Sequence, residues 1–588
     1  MKRNLLFMSV LASLFMAGCS QDGIESNDKM DGNGETVNRY MAVNLVSSDD
    51  GDAFTRAKTG FEDGTAAENQ ITGVRFYFFN AAGSAATVKA LEEDGTYKYV
   101  NYYDWTPGET ESDDPSDDIE KRYKAVIVIS TKQGDEIPQM MAAVLNPTAD
   151  LIAKGNQSLE QLRAIGDDYA ETELTQSGKF VMFNSVYSQD KELVDGVHIT
   201  ADNLASSEAE AKDNPVKLYV ERGVAKVSVE VGIKEDYNED SKLLKLKDKD
   251  GNPIEVDNSN PDETLEPVYL KLGQWGLTAE TDKGRLVKHI NPAWNKQWIQ
   301  SAQSQYNYRS CWAINFMEAK NIYDKYSNAK NGNADLGASN YLYTNENAEL
   351  NDIDNTQGTA RERTKVKLNG VLCKKDGTPI TLVRHMGSHF VDTYNGEDES
   401  KNLVKLKESI LSQLNAAGKK YYTAEAGQPV KFTQISPEDL KIVIAEQQQK
   451  EESNANCYVY ATLSDTGKGK TWYSDNTESY NDHKVEDITE IEDALKNKDL
   501  VDRALVWREG MTYYYFEILH NKAGNQPGVV RNHVYKTKIT SIAGLGTPVY
   551  DPEQTIYPEK PEDNDHYIAA EVNILSWHIV SDSYDLKW

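Results

Sequence analysis

The stretch Val216-Lys217-Leu218-Tyr219-Val220-Glu221-Arg222-Gly223-Val224-Ala225-Lys226-Val227-Ser228-Val229-Glu230-Val231 decides the fold class. Apolar residues recur at every second position through most of it, and a period of two places one set of side chains on one face of an extended chain. Val220, Arg222 and Val224 share one parity; Ala225, Val227, Val229 and Val231 share the other. The change of face falls near Gly223, which predicts a bulge or bend there.

Similar signals recur outward from this stretch. On the N-terminal side they are Tyr40–Val46, with Met41, Val43 and Leu45 on one face, then Ile71–Phe79, residues 98–104, Lys124–Ser130 and Met140–Leu145. On the C-terminal side they are Val268–Leu277, Thr364–Leu372, Ile380–Arg384, Tyr458–Leu463, Thr512–Leu519 and His533–Ile542. Helical pieces are expected at Ser158–Ile165 and Leu403–Ala417. Many short strands separated by turn clusters predict a mainly β chain of two β-sandwich domains in tandem, with a few short helices and long loops, rather than parallel α/β units. Residues 234–267 are charged and turn-rich, with Asp250-Gly251 as a hairpin signal, and the domain boundary is placed near them. Polar insertions are read at 320–362 and 464–500, and no fixed-period repeat is present.

A chain of 588 residues is too long for one ordinary core, and 39% hydrophobic residues suffice for a sizeable one. The net charge of −31 repels nucleic-acid phosphates and anionic headgroups, which argues against nucleic acid as a partner. Tyr outnumbers Phe, 33 to 13, which suits half-exposed strands.

The N-terminus reads as an address. Lys2 and Arg3 precede an apolar run, Leu5–Ala17, which leads into Met16-Ala17-Gly18-Cys19. The run is about 13 residues, against the roughly 20 a spanning helix needs, so it reads as a signal peptide over residues 1–18. Small residues before a Cys resemble a bacterial lipobox, with cleavage between Gly18 and Cys19 and a diacylglycerol on the Cys19 thiol. Residues 20–38 are polar and read as a tether. Cys311, Cys373 and Cys457 remain; at most one disulfide can form among them, and their spacing excludes a Cys-x-x-Cys site.

Motifs for chemistry fail one by one. Gly469-Lys470-Thr471 ends like a P-loop, but Ser464 stands where the first Gly belongs. Asp248–Asn252 starts like a calcium loop, but Pro253 and Ser259 stand at its sixth and twelfth positions, so a hairpin turn is the better reading. His385 and His389 lack the glutamate of a zinc protease. No catalytic residue, metal site or cofactor is expected, and the chain is read as a non-enzyme. Trp472, Tyr473, Tyr480 and Trp507 are candidates for stacking on sugar rings in an alternative reading as a glycan-binding lipoprotein.

At the C-terminus, Pro552, Pro558 and Pro561 lie among acidic residues in Asp551–Asp565, a semi-rigid spacer. Tyr567–Trp577 then alternates again, with Ile568, Ala570, Val572 and Ile574 in one apolar row that matches the parity of Met41, Val43 and Leu45. A strand on such a spacer need not pack on its own domain.

The order of several segments carries a family resemblance. They are the lipoprotein signal; Phe54-Thr55-Arg56-Ala57 followed by Val74-Arg75-Phe76-Tyr77-Phe78-Phe79; Tyr219–Val227; Gly273-Gln274-Trp275-Gly276-Leu277; Gly528-Val529-Val530-Arg531-Asn532-His533-Val534-Tyr535; and Ile574-Leu575-Ser576-Trp577. Together the chain resembles the type V pilins, the fimbrillins of Bacteroidales, and among them the stalk subunit of a minor fimbrium. The resemblance implies transthyretin-like sandwiches over 57–235 and 236–550, a propeptide over 19–56, and a spacer and donor tail over 551–588. It implies an outer-membrane lipoprotein precursor, cut between Arg56 and Ala57 by an Arg-specific protease, that loses its first strand with the lipid. A neighbour's tail then fills the groove. Implied partners are other copies in a head-to-tail extracellular polymer, anchor and tip subunits, the protease, and host or bacterial surface ligands, with lipid present only in the precursor. Arg39 and Lys58 are rival cut sites, and an anchor or tip protein is the alternative within the family.

Overall fold

The computed structural model describes residues 37–46, 64–91, 96–107, 122–131, 137–185, 187–189, 192–256, 265–289, 319–348, 362–391, 401–446, 457–496, 504–521, 526–558, 567–576 and 580–581. The chain is mainly β, with many strands in several sheets and few helices. It forms two compact units, one from Met1–Ser48, Ile71–Leu162 and Val194–Val220, the other from Asp49–Gln70, Arg163–Leu193 and Glu221–Trp588. Turn signals cluster near 235, yet the division falls at Val220. Compactness follows strand pairing, and the long alternating stretch serves both units in turn.

In the first unit the strands are β1 (Val37–Val46), β2 (Val74–Phe79), β3 (Val88–Leu91), β4 (Tyr97–Val100), β5 (Tyr102–Trp105), β6 (Arg122–Thr131), β7 (Met140–Leu145), β8 (Val197–His198) and β9 (Val216–Arg222). Within a ten-stranded sheet, β4-β3-β6-β1-β9 follow in order, as do β7-β2-β5 with β8 on β7. β2 and β7 are buried along their whole length, as strands covered on both faces are; the one charged residue in them, Arg75, pairs with Asp104 at 2.6 Å. β6 alternates instead: Ala125, Ile127 and Ile129 are buried, Val126 and Val128 half-buried. Short helices α1 (Ala149–Ala153), α2 (Leu159–Arg163) and α3 (Glu208–Asp213) complete the unit; Ser207 caps α3 by accepting from the Glu210 N–H.

The second unit contains β10 (Val224–Val231), β11 (Tyr269–Thr278), β12 (Gly337–Asn345), β13 (Lys365–Cys373), β14 (Leu382–His385), β15 (Ser388–Val391), β16 (Leu440–Glu446), β17 (Cys457–Leu463), β18 (Ala504–Trp507), β19 (Met511–Glu517), β20 (His533–Ala543), β21 (Tyr567–Ser576) and β22 (Val580–Ser581). One sheet has the order β12-β10-β20-β21-β22; a second contains β11-β13-β19. They share a core of Ala225, Val227, Val229, Leu270, Leu272, Trp275, Leu277, Val366, Leu368, Tyr514, Phe516, Tyr535 and Ile539. That is a sheet-on-sheet sandwich. A further sheet, β15-β14-β18-β17-β16, lies between β13 and β19 in sequence, backed by α4 (Lys401–Ala416) and α5 (Thr489–Lys496). Leu403, Leu406, Ile410 and Leu414 of α4 form a helical stripe in its core.

The bend read at Gly223 is present: β9 ends before it and β10 begins after it. The Gly223 N–H donates to the Val181 carbonyl at 3.0 Å. Strand β12 falls within 320–362, which the sequence pattern marks only as a polar insertion. Its Gly, Ser and Asn residues hide it, because as an edge strand it needs little apolar alternation. Among the described residues no helix is long and apolar enough to cross a membrane.

Candidate functional site

Strand β1 is seated between two neighbours. β6 runs antiparallel to it, in register from Val37↔Thr131 to Val46↔Arg122. β9 runs parallel on the other side and pairs Val43–Val46 with Val216–Tyr219. Taking β1 away would orphan the facing N–H and C=O groups of both neighbours. Met41 and Val43 are fully buried, and their register partners Ile127 and Ala125 are buried too. Ala42 points to the opposite face but is only 4% exposed. Helix α3 packs on β1, and its Ala211 is fully buried. The strand is therefore covered on both faces at its midpoint. Leu45 stands opposite Tyr123 and Leu218 in register. Gly18, Cys19, Arg56, Ala57 and Lys58 lie outside the described residues. Arg39 lies inside β1, paired with Ile129, where a protease would first have to unpair the strand.

The C-terminal strand pairs within its own chain. β21 runs antiparallel to β20, and Ile568, Ala570, Val572 and Ile574 stand opposite Ile542, Ile539, Thr537 and Tyr535. All four partners on β20 are buried. A bulge at Thr540 makes this possible: Ile539 and Ile542 differ in parity, and one extra residue brings them to the same face. The spacer before β21 is also tied down. The Tyr326 N–H donates to the Gln554 carbonyl (3.0 Å), that of Ser327 to Pro552 (2.8 Å) and that of Ile556 to Asp324 (2.8 Å). Lys325 pairs with Glu553 at 2.8 Å, and Lys365 Nζ donates to the Pro558 carbonyl at 3.2 Å. The semi-rigid spacer read from the prolines is thus docked as far as Pro558.

Buried ionic anchors hold the second unit together, and sequence reasoning did not assign them. Lys226 Nζ lies 2.8 Å from Glu68 Oε1, with both side chains at most 2% exposed. Tyr343 donates to the same oxygen at 2.6 Å, and the Thr65 N–H donates to Glu68 Oε2 at 2.6 Å. Burial pushes the Glu68 carboxyl up, but the Lys226 ammonium and these hydrogen bonds outweigh it, and the net shift is downward. Arg222 donates to the Glu68 carbonyl (3.2 Å) and to the Asn69 side chain. Arg531 pairs with Glu346 at 3.0 Å and donates to the carbonyls of Leu286 (2.9 Å) and Arg285 (2.6 Å). Asn532 adopts the left-handed conformation (φ 58°), which asparagine tolerates, and its N–H reaches the Val224 carbonyl at 2.7 Å. The sequence signal for Lys226 is a lysine inside a largely apolar strand, whereas Arg531 lies in the turn before β20.

Other candidates resolve into structure. His385 and His389 flank a two-residue hairpin turn; His385 bonds Ser409 Oγ (2.8 Å) and Gln413 Oε1 (3.0 Å) on α4. Burial pushes His389 down to about 4. Asp248 Oδ1 accepts from the N–H groups of Asp250 (2.9 Å) and Asn252 (2.8 Å), as a turn does. At Gly467 a Cβ would lie 2.4 Å from the Asp439 carbonyl oxygen, so this glycine serves packing. Trp472 and Trp507 are core residues, each 1% exposed, and neither can stack on a sugar. Tyr473 and Tyr480 pack edge-on with ring centroids 4.9 Å apart. Cys373 is free and buried. Among the described residues no group of three His, Cys, Asp or Glu could hold a metal ion.

Residues 506–583, which contain β19, β20, the docked spacer and β21, match the family described as "Major fimbrial subunit protein type IV, Fimbrillin, C-terminal". In this C-terminal part the chain is similar to the fimbrillins. Similar solved structures include the tip fimbrial protein Mfa3 from Porphyromonas gingivalis with C-terminal truncation, at 11% identity, covering 92% of this chain and 100% of that one with a TM-score of 0.31. A fimbrilin (fimA) from Porphyromonas gingivalis W83 matches at 10% identity, 92% and 98% coverage and a TM-score of 0.33. A fimbrial assembly protein from Parabacteroides distasonis ATCC 8503 matches at 9% identity, 73% and 100% coverage and a TM-score of 0.25. At these TM-scores the likenesses carry no argument. No curated protein sequence matches the chain.

Proposed function

We propose that this chain is a fimbrillin, the polymerising stalk subunit of an adhesive surface fimbria. It is made as a lipoprotein precursor, cleaved between Gly18 and Cys19, lipidated on Cys19 and carried to the outer membrane. Cleavage between Arg56 and Ala57 by an Arg-specific protease then frees the propeptide, residues 19–56, with β1 inside it. The row Ile568, Ala570, Val572 and Ile574 of another copy fills the seat that Met41, Val43 and Leu45 occupied. Such a contact joins unlike surfaces and does not close, so it grows into a fibre, with anchor and tip subunits at its ends.

The observation that carries this reading is the seat of β1, hydrogen-bonded on both sides and buried on both faces. Burying a side chain such as Met41 or Val43 stabilises by about 1.5–3 kcal/mol each, so an emptied seat strongly favours a replacement. N-terminal sequencing of the mature surface protein tests the reading. A start at Ala57 is expected, and Arg56→Ala is expected to accumulate the lipid-anchored precursor. A mature protein that begins at acylated Cys19 would instead identify an anchor or a monomeric surface lipoprotein.

A further inference from the structure

We propose that the incoming strand enters the seat of β1 in one register and one direction. Tyr567 takes the place of Tyr40, Ile568 of Met41, Ala569 of Ala42, Ala570 of Val43, Glu571 of Asn44 and Val572 of Leu45, so the strand runs as β1 does. This rests on the strand-replacement reading above and adds to it which residue meets which.

Three observations lead there. The two segments match position by position: Tyr40-Met41-Ala42-Val43-Asn44-Leu45 against Tyr567-Ile568-Ala569-Ala570-Glu571-Val572. Tyrosine and alanine are retained, and the apolar positions stay apolar.

The second observation concerns Ala42. It is 4% exposed, on the face opposite Met41 and Val43. Only a small side chain fits there without overpacking. Shifting the incoming strand by two residues either way puts Tyr567 or Glu571 at that position. Shifting it by one turns Glu571 and Asn573 toward the core face. Ala569 is the residue that satisfies both faces.

Charge then fixes the direction. A reversed strand could also keep Ala569 at position 42, but it would carry Glu571 to the place of Tyr40, opposite Val128. In the direction of β1, Glu571 arrives at the place of Asn44, whose register partners are Lys124 on β6 and Lys217 on β9. Opposite charges across strands attract. On β20 of its own chain Glu571 stands opposite one lysine, Lys538. Replacement exchanges one lysine partner for two.

Cysteine trapping tests the register in full-length protein matured with an Arg-specific protease and then polymerised. Equal mixtures of single variants are oxidised and run on non-reducing gels. Lys124→Cys mixed with Glu571→Cys is expected to give a cross-linked intermolecular product. A product from Lys124→Cys with Asn573→Cys would mean a shifted register, and one from Val128→Cys with Glu571→Cys a reversed strand. Either overturns the inference, as do polymers that cross-link in none of the three pairs. If unmodified matured protein forms no polymer, the strand-replacement reading itself fails.

A charge swap gives an independent readout. Glu571→Lys is expected to slow polymerisation about tenfold, the scale of two cross-strand pairs turned from attractive to repulsive. Loosening the strand from Lys538 alone would speed it instead. Adding Lys124→Glu and Lys217→Glu to the acceptor is expected to restore the rate. Faster assembly of the single variant, or no rescue, overturns the inference.

Discussion

Replacing Lys226 with methionine tests how the second unit grips the segment downstream of Arg56. The Lys226 ammonium lies 2.8 Å from Glu68 Oε1, with both side chains almost wholly out of solvent. It also sits 4.0 Å from the centroid of the Tyr341 ring. Methionine fills the volume but leaves the Glu68 carboxylate buried without its counter-charge. Breaking one side of a buried ion pair costs about 3–5 kcal/mol. The double variant Lys226→Met, Glu68→Gln removes the orphaned charge while keeping an acceptor for Tyr343, and is expected to recover about half of that loss or more. The pH dependence has a definite sign. In the native protein the Glu68 carboxyl is held below its ordinary value of 4.5, so its contribution is present above that pH and fades as pH falls through the lowered value. Without Lys226 burial dominates, the carboxyl is pushed up, and protonation relieves the penalty. The deficit of Lys226→Met is therefore larger at pH 7 than at pH 5. Urea unfolding, with hydrogen exchange on residues 64–70 and β10 to locate the effect, measures it. A loss below about 1 kcal/mol at pH 7, or a double variant no more stable than the single, would refute the account.

Other substitutions read other parts of the structure. Gly510 has φ +73°, and a Cβ there would lie 2.2 Å from the Leu372 carbonyl oxygen, so Gly510→Ala should destabilise by about 2 kcal/mol or more in urea unfolding. Glu280 is buried, and burial together with nearby Asp324 raises its carboxyl above the ordinary 4.5. The folded protein then holds a proton that the unfolded chain releases, so stability falls as pH rises above about 4.5. Glu280→Gln should stabilise at pH 8 and matter less at pH 5, as compared by urea midpoints. His385→Leu should cost about 1–3 kcal/mol by leaving Ser409 and buried Gln413 without their shared partner, seen as faster hydrogen exchange in α4. Truncation after Lys560 should leave a folded, secreted monomer that forms no fibres by electron microscopy; normal fibres would sink the donor-tail reading.

The period-of-two patterns placed the strands well. Met140–Leu145 agrees at both ends, and the alternating stretch near the C-terminus pairs as a strand over Tyr567–Ser576. Alternation is a local property of the chain and is written in the sequence. The misses have definite causes: β12 is an edge strand of polar residues, and whether Trp472 and Trp507 are core or binding aromatics turns on burial, which is not a local property. The sequence by itself determined that this is a mainly β chain with a strand pattern near each end. Only the tertiary structure decided where those strands sit, β1 between β6 and β9, and β21 on β20 of its own chain. It also decided that Glu68 meets Lys226, far along the chain. Pairing partners and buried ion pairs depend on which surfaces meet after collapse, and residues far apart in the chain carry no local mark of the contact they will make.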